Sequence, residues 1–291
     1  MDADNWLTGQ FEQHRPRLRR LCYRMLGSQA DADDALQDAW VRVSGAGPDD
    51  VDNPGGWLTT VVARVCLNRL RSRAARPEDP AGVHVPDPVV SRDEPTPADE
   101  AVLADSVSLA LLVVLDTLAP AERLAFVLHD MFELPFEQIA LLVDRSPAAA
   151  RQLASRARRR VRGVQAPDAP SDPAAQRRVV QAFFAAARSG DLGALVAVLD
   201  PDVVLRAHRR DGDPLKLNGA DRVAQGAMTA RRFAPYVRPA LVNGAAGVVA
   251  FDGERPFAVL AFTVVNDRAV AIDVFNDPEL VAKLHIRGIT A

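Results

Sequence analysis

The chain has 291 residues, 48% of them apolar and 25% charged, with a formal net charge of −3. Its length sets an expectation of about two or three domains, and its composition is ordinary for a soluble globular protein. No apolar run reaches the roughly 18 residues of a membrane span, and the acidic start MDADNWLTGQ does not read as a signal peptide.

Cys22 and Cys66 are the only cysteines. They form no CxxC pair and fall in helical apolar patterns, which predicts buried free thiols in a reducing cytoplasm. The five histidines show no HExxH or other close ligand spacing, so neither a metal nor a cofactor is expected. Lys216 and Lys283 are the only lysines. Arginine is therefore the default base here, and its placement carries more meaning than its abundance.

DADDALQDAWVRV, at 31–43, is the first clear helix. Ala32, Ala35, Leu36, Ala39, Trp40 and Val43 share one face, as a buried stripe requires. Asp34, Gln37, Asp38, Val41 and Arg42 point away. On the residues alone this is a solvated acidic face.

NPGGWLTTVVARVCLNRLRSR follows at 53–73. Asn53-Pro54-Gly55-Gly56 reads as a turn, and the helix from Trp57 is expected to bury Leu58, Val61, Val62, Val65 and Leu70. Thr60, Arg64, Asn68 and Arg71 form a stripe on the other side. It offers hydroxyl, guanidinium and amide groups without an acid, which suits phosphates and base edges. An ordinary solvated face usually mixes both signs of charge.

Residues 77–101 are dense in proline and acid and have no helical or strand period, so they read as an extended linker. Helical periodicity returns at 102–162. A helix over about 119–131 buries Leu124, Val127, Leu128 and Met131. A second, beginning near Pro135, buries Phe136, Ile139, Ala140 and Val143. After the turn Val143-Asp144-Arg145, Ser146 is a good N-cap and Pro147 a good first helical residue. The third helix buries Ala150, Ala154, Ala157 and Val161, small enough to let two helices meet closely. This is helix-turn-helix geometry, with Asp144 where glycine is usual because aspartate tolerates a left-handed backbone. Arg151, Gln152, Ser155 and Arg159 form its exposed stripe, flanked by Arg156, Arg158, Arg160 and Arg162. The stripe holds no acid. Arginine and glutamine early in such a helix can read guanine and adenine edges, and the later arginines suit phosphate.

APDAPSDP at 166–173 is a second linker. Beyond it a helix at 174–188 leads into strand-like runs, VVLRAHR, PALVNGAAGVVAFDG and PFAVLAFTVVNDRAVAIDVF. The predicted layout is multidomain: an all-α domain at 1–76, a linker at 77–101, an all-α helix-turn-helix domain at 102–165, a linker at 166–173, and an α+β domain at 174–291.

Over residues 8–163, the acidic-faced helix, NPGGWLTTVVARVCLNRLRSR, the acidic proline linker and LAPAERLAFVLHDMFELPFEQIALLVDRSPAAARQLASRARRRV together resemble an RNA polymerase sigma factor of the extracytoplasmic-function (ECF) type. The resemblance implies core RNA polymerase and promoter DNA as partners. It gives Asp34, Gln37, Asp38 and Arg42 to core polymerase, which replaces the solvated-face reading. Asn53, Thr60, Arg64, Asn68 and Arg71 would recognise and help open the −10 element. Ser146, Arg151, Gln152, Ser155, Arg156 and Arg159 would serve the −35 element.

The C-terminal third is similar to SnoaL-like domains of the NTF2-like superfamily, a helix-lined sheet forming a cone. In sigma factors with this extension, the resemblance implies regulation through contacts with the two sigma domains. The group's motifs are degraded here to DGDPLK, NDPEL and VHVPDP. Asp211, Gly212, Lys216, Asn276 and Leu280 remain as regulatory contact residues. Such cones host small-molecule ligands and enzymes, so fold alone decides nothing. His208 and Asp273 could face a pocket as acid and base; the preferred reading places both in structural roles, at a sheet rim and near a strand end, with no enzyme activity. Phe183 and Phe184 are read as core. Two alternatives stand beside the sigma reading: a stand-alone helix-turn-helix regulator, and a SnoaL-like enzyme controlled by its helical half.

Overall fold

The computed structural model describes residues 3–44, 52–75, 86–92, 107–163, 172–208, 215–284, 286 and 289. The chain divides into two compact units. One gathers the described helices of residues 3–74 and 112–163; the other takes 87–92, 107–111 and everything from 172 on.

The first unit begins with α1 (Ala3–Leu26), α2 (Gln29–Ser44) and α3 (Pro54–Ala74), which pack pairwise. α1 ends at Gly27, whose φ of 76° suits glycine. Asn53, Pro54 and the two glycines are the start of α3 itself rather than a turn before it. Asn53 is the N-cap, and its Oδ1 accepts from Gly56 N–H at 2.9 Å. A side chain on Gly56 would strike Asn53, and one on Gly55 would strike the His14 ring. The glycines therefore make room for the cap and for α1. Ala32, Ala35, Leu36, Ala39 and Val43 are buried as expected, with Leu58, Val62, Val65 and Leu70 of α3. Val61 is only half-buried, since it lies at the edge of the buried face. Cys22 and Cys66 are fully buried, with sulfurs 3.7 Å apart.

Next come α4 (Leu109–Asp116), α5 (Pro120–Phe126), a π-helical turn at Val127–Met131, α6 (Phe136–Val143) and α7 (Pro147–Gly163). Asp144 takes φ 54° and ψ 50°, the left-handed conformation its place required. Its N–H and that of Arg145 both close on the Ala140 carbonyl. Ala150, Ala154 and Ala157 are fully buried, while Met131 and Val161 are half-buried at the margins.

The second unit is α+β. α8 (Pro173–Ser189) is capped by Asp172 and stopped at Gly190, φ 76°. α9 (Leu192–Ala197), α10 (Ala220–Thr229), a 3₁₀ turn at Arg231–Tyr236 and α11 (Pro278–Lys283) complete its helices among the described residues. β1 (Val90–Arg92), β2 (Leu199–His208), β3 (Leu215–Asn218), β4 (Val237–Val242), β5 (Ala245–Asp252), β6 (Arg255–Val265) and β7 (Arg268–Phe275) form one sheet in the order β1-β4-β5-β6-β7-β2-β3. β2 and β7 are parallel and every other pair is antiparallel. Asn243-Gly244 and Asn266-Asp267 adopt positive φ, the backbone that tight hairpin turns demand. Phe183 and Phe184 are core, meeting Phe262 edge-on at 5.4 and 6.0 Å.

One expectation fails in the linker. Val90–Arg92, read as structureless, is a strand paired antiparallel with β4. Three residues are too short to show a period. They are a strand because the edge of β4 offers them partners.

Candidate polymerase and promoter interfaces

Asp34, Gln37, Asp38 and Arg42 are all exposed on α2. Asp38 also accepts a bidentate pair from Arg69 of α3, at 2.6 and 3.2 Å. For Arg69, burial works against the charge, but the hydrogen bond and charge of Asp38 outweigh it and hold the pKa above its ordinary value. Asp31 and Asp33 are likewise tied, to Arg73 and Arg19. Arginines from neighbouring helices thus hold much of the acidic helix in place. Val41 is 65% exposed beside Arg42. Its place among the outward-facing residues was already readable in the sequence.

On α3, Asn53, Arg64, Asn68 and Arg71 are exposed and Thr60 is half-buried. Arg64, Asn68 and Arg71 lie on one side of the helix with no acid among them. Two of the five residues also work within the helix. Asn53 is the cap, and the Thr60 hydroxyl donates to the Gly56 carbonyl at 3.0 Å.

α7 is presented by the tight turn at Asp144. Ser146 caps it, its Oγ accepting from Ala149 N–H at 3.3 Å. Arg151, Gln152, Ser155, Arg156 and Arg159 are exposed. The Arg151 guanidinium lies over the Phe136 ring of α6, 5.2 Å from its centre, which steadies a long side chain at the start of the helix. Two of the flanking arginines are paired with acids. Asp130 pairs with Arg158 at 2.8 Å, and Glu122 with Arg160 at 2.9 Å. These acids come from other elements of the same unit, so no pattern within the helix could show them. Among the described residues, Arg156 and Arg159 have no such partner.

In the second unit, Asp273 belongs to an ion pair. Asp273 is 1% exposed, two residues before the end of β7 at Phe275, near a strand end as expected. It is held by Arg206 through bonds of 2.6 and 2.8 Å. Burial works against the Arg206 charge, yet Asp273 keeps its pKa above the ordinary value. The His208 main chain lies opposite Phe275; its side chain falls outside the described part. Asp211 and Gly212 also lie outside the described residues. Lys216 and Asn276 are exposed and Leu280 is half-buried. A cavity of about 150 Å³ lies between α8 and β4–β5, lined by Val180, Phe184, Val237 and Val248 with Arg177 and Arg188. Asp273 does not line it. No group of three or more metal-ligating side chains occurs among the described residues, and no described helix is long and apolar enough to cross a membrane.

Residues 10–76 match the family Sigma-70 region 2, and residues 108–161 match Sigma-70, region 4. The ECF RNA polymerase sigma factor SigJ of Mycobacterium tuberculosis (strain ATCC 25618 / H37Rv) is 38% identical over 285 residues, 92% of this chain and 91% of that protein. The chain belongs to the ECF RNA polymerase sigma factors. A second relative of this sigma factor, described as a probable ECF RNA polymerase sigma factor SigI from the same strain, is 37% identical over 291 residues, 98% of each chain. The crystal structure of the M. tuberculosis SigJ protein matches the sigma factor with a TM-score of 0.76 at 33% identity, covering 96% of this chain and all of that one. The similarity therefore includes the α+β unit as well as the helices. Core RNA polymerase and promoter DNA are the partners of such a factor.

Proposed function

We propose that this ECF sigma factor divides promoter recognition between α3 and α7 and engages core polymerase through α2. The observation that carries the reading is the α7 surface. Asp130 and Glu122 neutralise Arg158 and Arg160, leaving Arg151, Gln152, Ser155, Arg156 and Arg159 exposed behind a left-handed turn. Arg151 and Gln152 read base edges of the −35 element, with Ser146 and Ser155 beside them. Arg156 and Arg159 hold phosphate. On α3, Arg64, Asn68 and Arg71, with Thr60 and the Asn53 cap, serve the −10 element. Asp34, Gln37, Asp38 and Arg42, with Val41 among them, meet core polymerase.

The protein acts in the cytoplasm, where its partners are. Its α+β unit regulates rather than catalyses, a reading supported by the buried carboxylate of Asp273 being engaged in a bidentate pair with Arg206. Lys216, Asn276 and Leu280, with Asp211 and Gly212, are the regulatory contacts, and a small apolar molecule with an acidic group is the ligand class the α8 cavity would take. Purified protein mixed with core polymerase is expected to co-elute with it and support initiation. Tight operator binding without core, together with no association with core, would overturn the reading in favour of a stand-alone regulator.

A further inference from the structure

Among the arginines exposed on α7, Arg151 is restrained in its own way. Its guanidinium lies over the Phe136 ring of α6, 5.2 Å from the centre. Among the described residues it has no carboxylate partner, whereas Arg158 and Arg160 are paired with Asp130 and Glu122. Arg156 and Arg159 have neither a ring nor an acid among the described residues. α7 thus carries arginines held by an acid, held by a ring, and held by neither.

The distinction is chemical. A carboxylate that holds a guanidinium accepts from its N–H groups and takes those donors away. Arg158 spends Nε and Nη2 on Asp130 in this way. An aromatic ring attracts the cation through its electron-rich face and need take no donor. Reading a guanine edge requires a pair of N–H donors at a fixed angle. Arg151 is therefore restrained while its fork stays available to a base.

Phe136 is itself fixed. It is 8% exposed and is the first residue of α6. The His129 ring packs against it, 3.9 Å between centres and 30° from parallel. His129 belongs to the π-helical turn Val127–Met131, and its Nδ1 donates to the Leu134 carbonyl at 3.0 Å. The Leu134 N–H returns to Leu128 O at 2.9 Å, across Glu133 at φ 59°. The π-turn and the left-handed residue after it thus present His129 to the ring that carries Arg151.

We propose that Phe136 is a positioning residue for promoter reading: its ring orders the Arg151 guanidinium before DNA arrives, and discrimination at the base pair Arg151 reads depends on that ring. This rests on the reading that Arg151 meets a base edge. A long arginine side chain loses rotamer freedom when it docks. Ordering it beforehand spares that loss at the moment of binding. A mismatched base gains nothing from the ordered arm, so the saving appears as discrimination. Arg156 and Arg159 keep a freedom that phosphate contact tolerates.

The full-length protein with core polymerase, transcribing promoters varied one base pair at a time, tests this. Arg151→Ala first identifies the base pair at which discrimination falls. Phe136→Leu keeps an apolar side chain in the α6 core and removes the ring. Trifluorophenylalanine at position 136 keeps the ring and nearly its shape but drains the charge from its face. A cation over such a face at an exposed site is worth about two- to fivefold. Both variants are expected to lose that much discrimination at the Arg151 base pair, with core binding intact. Neither should have a further effect in the Arg151→Ala background. Wild-type discrimination in the fluorinated protein would overturn the proposal, whatever Phe136→Leu does. Equal weakening at every base pair in both variants would overturn it too and leave Phe136 a core residue alone. If Arg151→Ala itself alters no base preference, the promoter-reading assignment beneath the proposal falls instead.

Discussion

Arg123 of α5 donates through Nε to the main-chain oxygen of Arg24 at the end of α1, 3.2 Å away and ninety-nine residues earlier. Its Nη1 also pairs with Asp116 of α4 at 2.9 Å. The side chain is 2% exposed, and burial lowers its pKa against the pull of Asp116. Nearby, Arg17 and Arg24 of α1 lie over the Phe132 ring, and Arg17 donates to the Phe132 carbonyl at 3.3 Å. A charged group thus joins the two helical modules of the first unit where leucines would be the cheaper choice.

Removing that guanidinium leaves the half-buried Asp116 without its cation. Breaking a fully buried pair from one side costs about 3–5 kcal/mol, which is an upper bound for this partly exposed one. Arg123→Ala should therefore lower the denaturant midpoint of the first unit's transition. An unchanged midpoint would show that the pair contributes no net stability.

Promoter reading by α7 separates by position along the helix. Arg151→Ala or Gln152→Ala is expected to cost about 1–3 kcal/mol of discrimination at particular base pairs, with core binding intact. Arg159→Ala should instead weaken all sequences alike and flatten the salt dependence. Run-off transcription on single-base promoter variants, beside a core-binding assay, tells the two apart. Loss of core binding by Arg151→Ala would remove α7 from the −35 element.

On α2 the effects should reverse. Val41→Asp and Asp38→Arg are expected to weaken association with core polymerase while leaving the helix folded, because both side chains are exposed. Asp38→Arg also sets a second guanidinium beside Arg69. Arg69→Ala, which removes only the intramolecular partner of Asp38, is the control. If Arg69→Ala loses core binding as fully as Asp38→Arg, then Asp38 acts by holding α3.

Cys22 and Cys66 give a prediction about pH. The hydrogen bond to Cys66, then burial, push the Cys22 thiol well above its ordinary range. The thiolate is the reactive form, so raising the pH through the usual thiol range should not make folded protein reactive. Alkylation followed by mass spectrometry should find Cys22 unmodified under mildly alkaline native conditions and modified once unfolded. Native labelling at the rate of the unfolded chain would contradict the packing of α1 on α3.

Much of the molecule was legible in the amino-acid sequence because local chemistry decides it. The 3.6-residue period placed the buried faces of α2 and α7. A left-handed turn needs a residue that tolerates positive φ, and Asp144 supplied it. Asparagine before proline and two glycines looked like a turn because both turns and helix starts use those residues; the Asn53 side chain bonding to Gly56 N–H made it a cap. The exposed stripes of α2, α3 and α7 were also readable, since exposure follows from which face is apolar.

What the sequence by itself determined is the set of elements, their faces, and the residues they hold outward. The tertiary structure alone decided which of those residues are left for a partner. Asp130 and Glu122 pair with two arginines of α7, Arg69 pairs with Asp38, and Arg206 pairs with Asp273. It also decided that a three-residue piece of linker is a strand. Each of these is a pairing between groups far apart in the chain. Periodicity reports a residue's neighbours along its own element, whereas a hydrogen bond or ion pair depends on which element folding brings alongside.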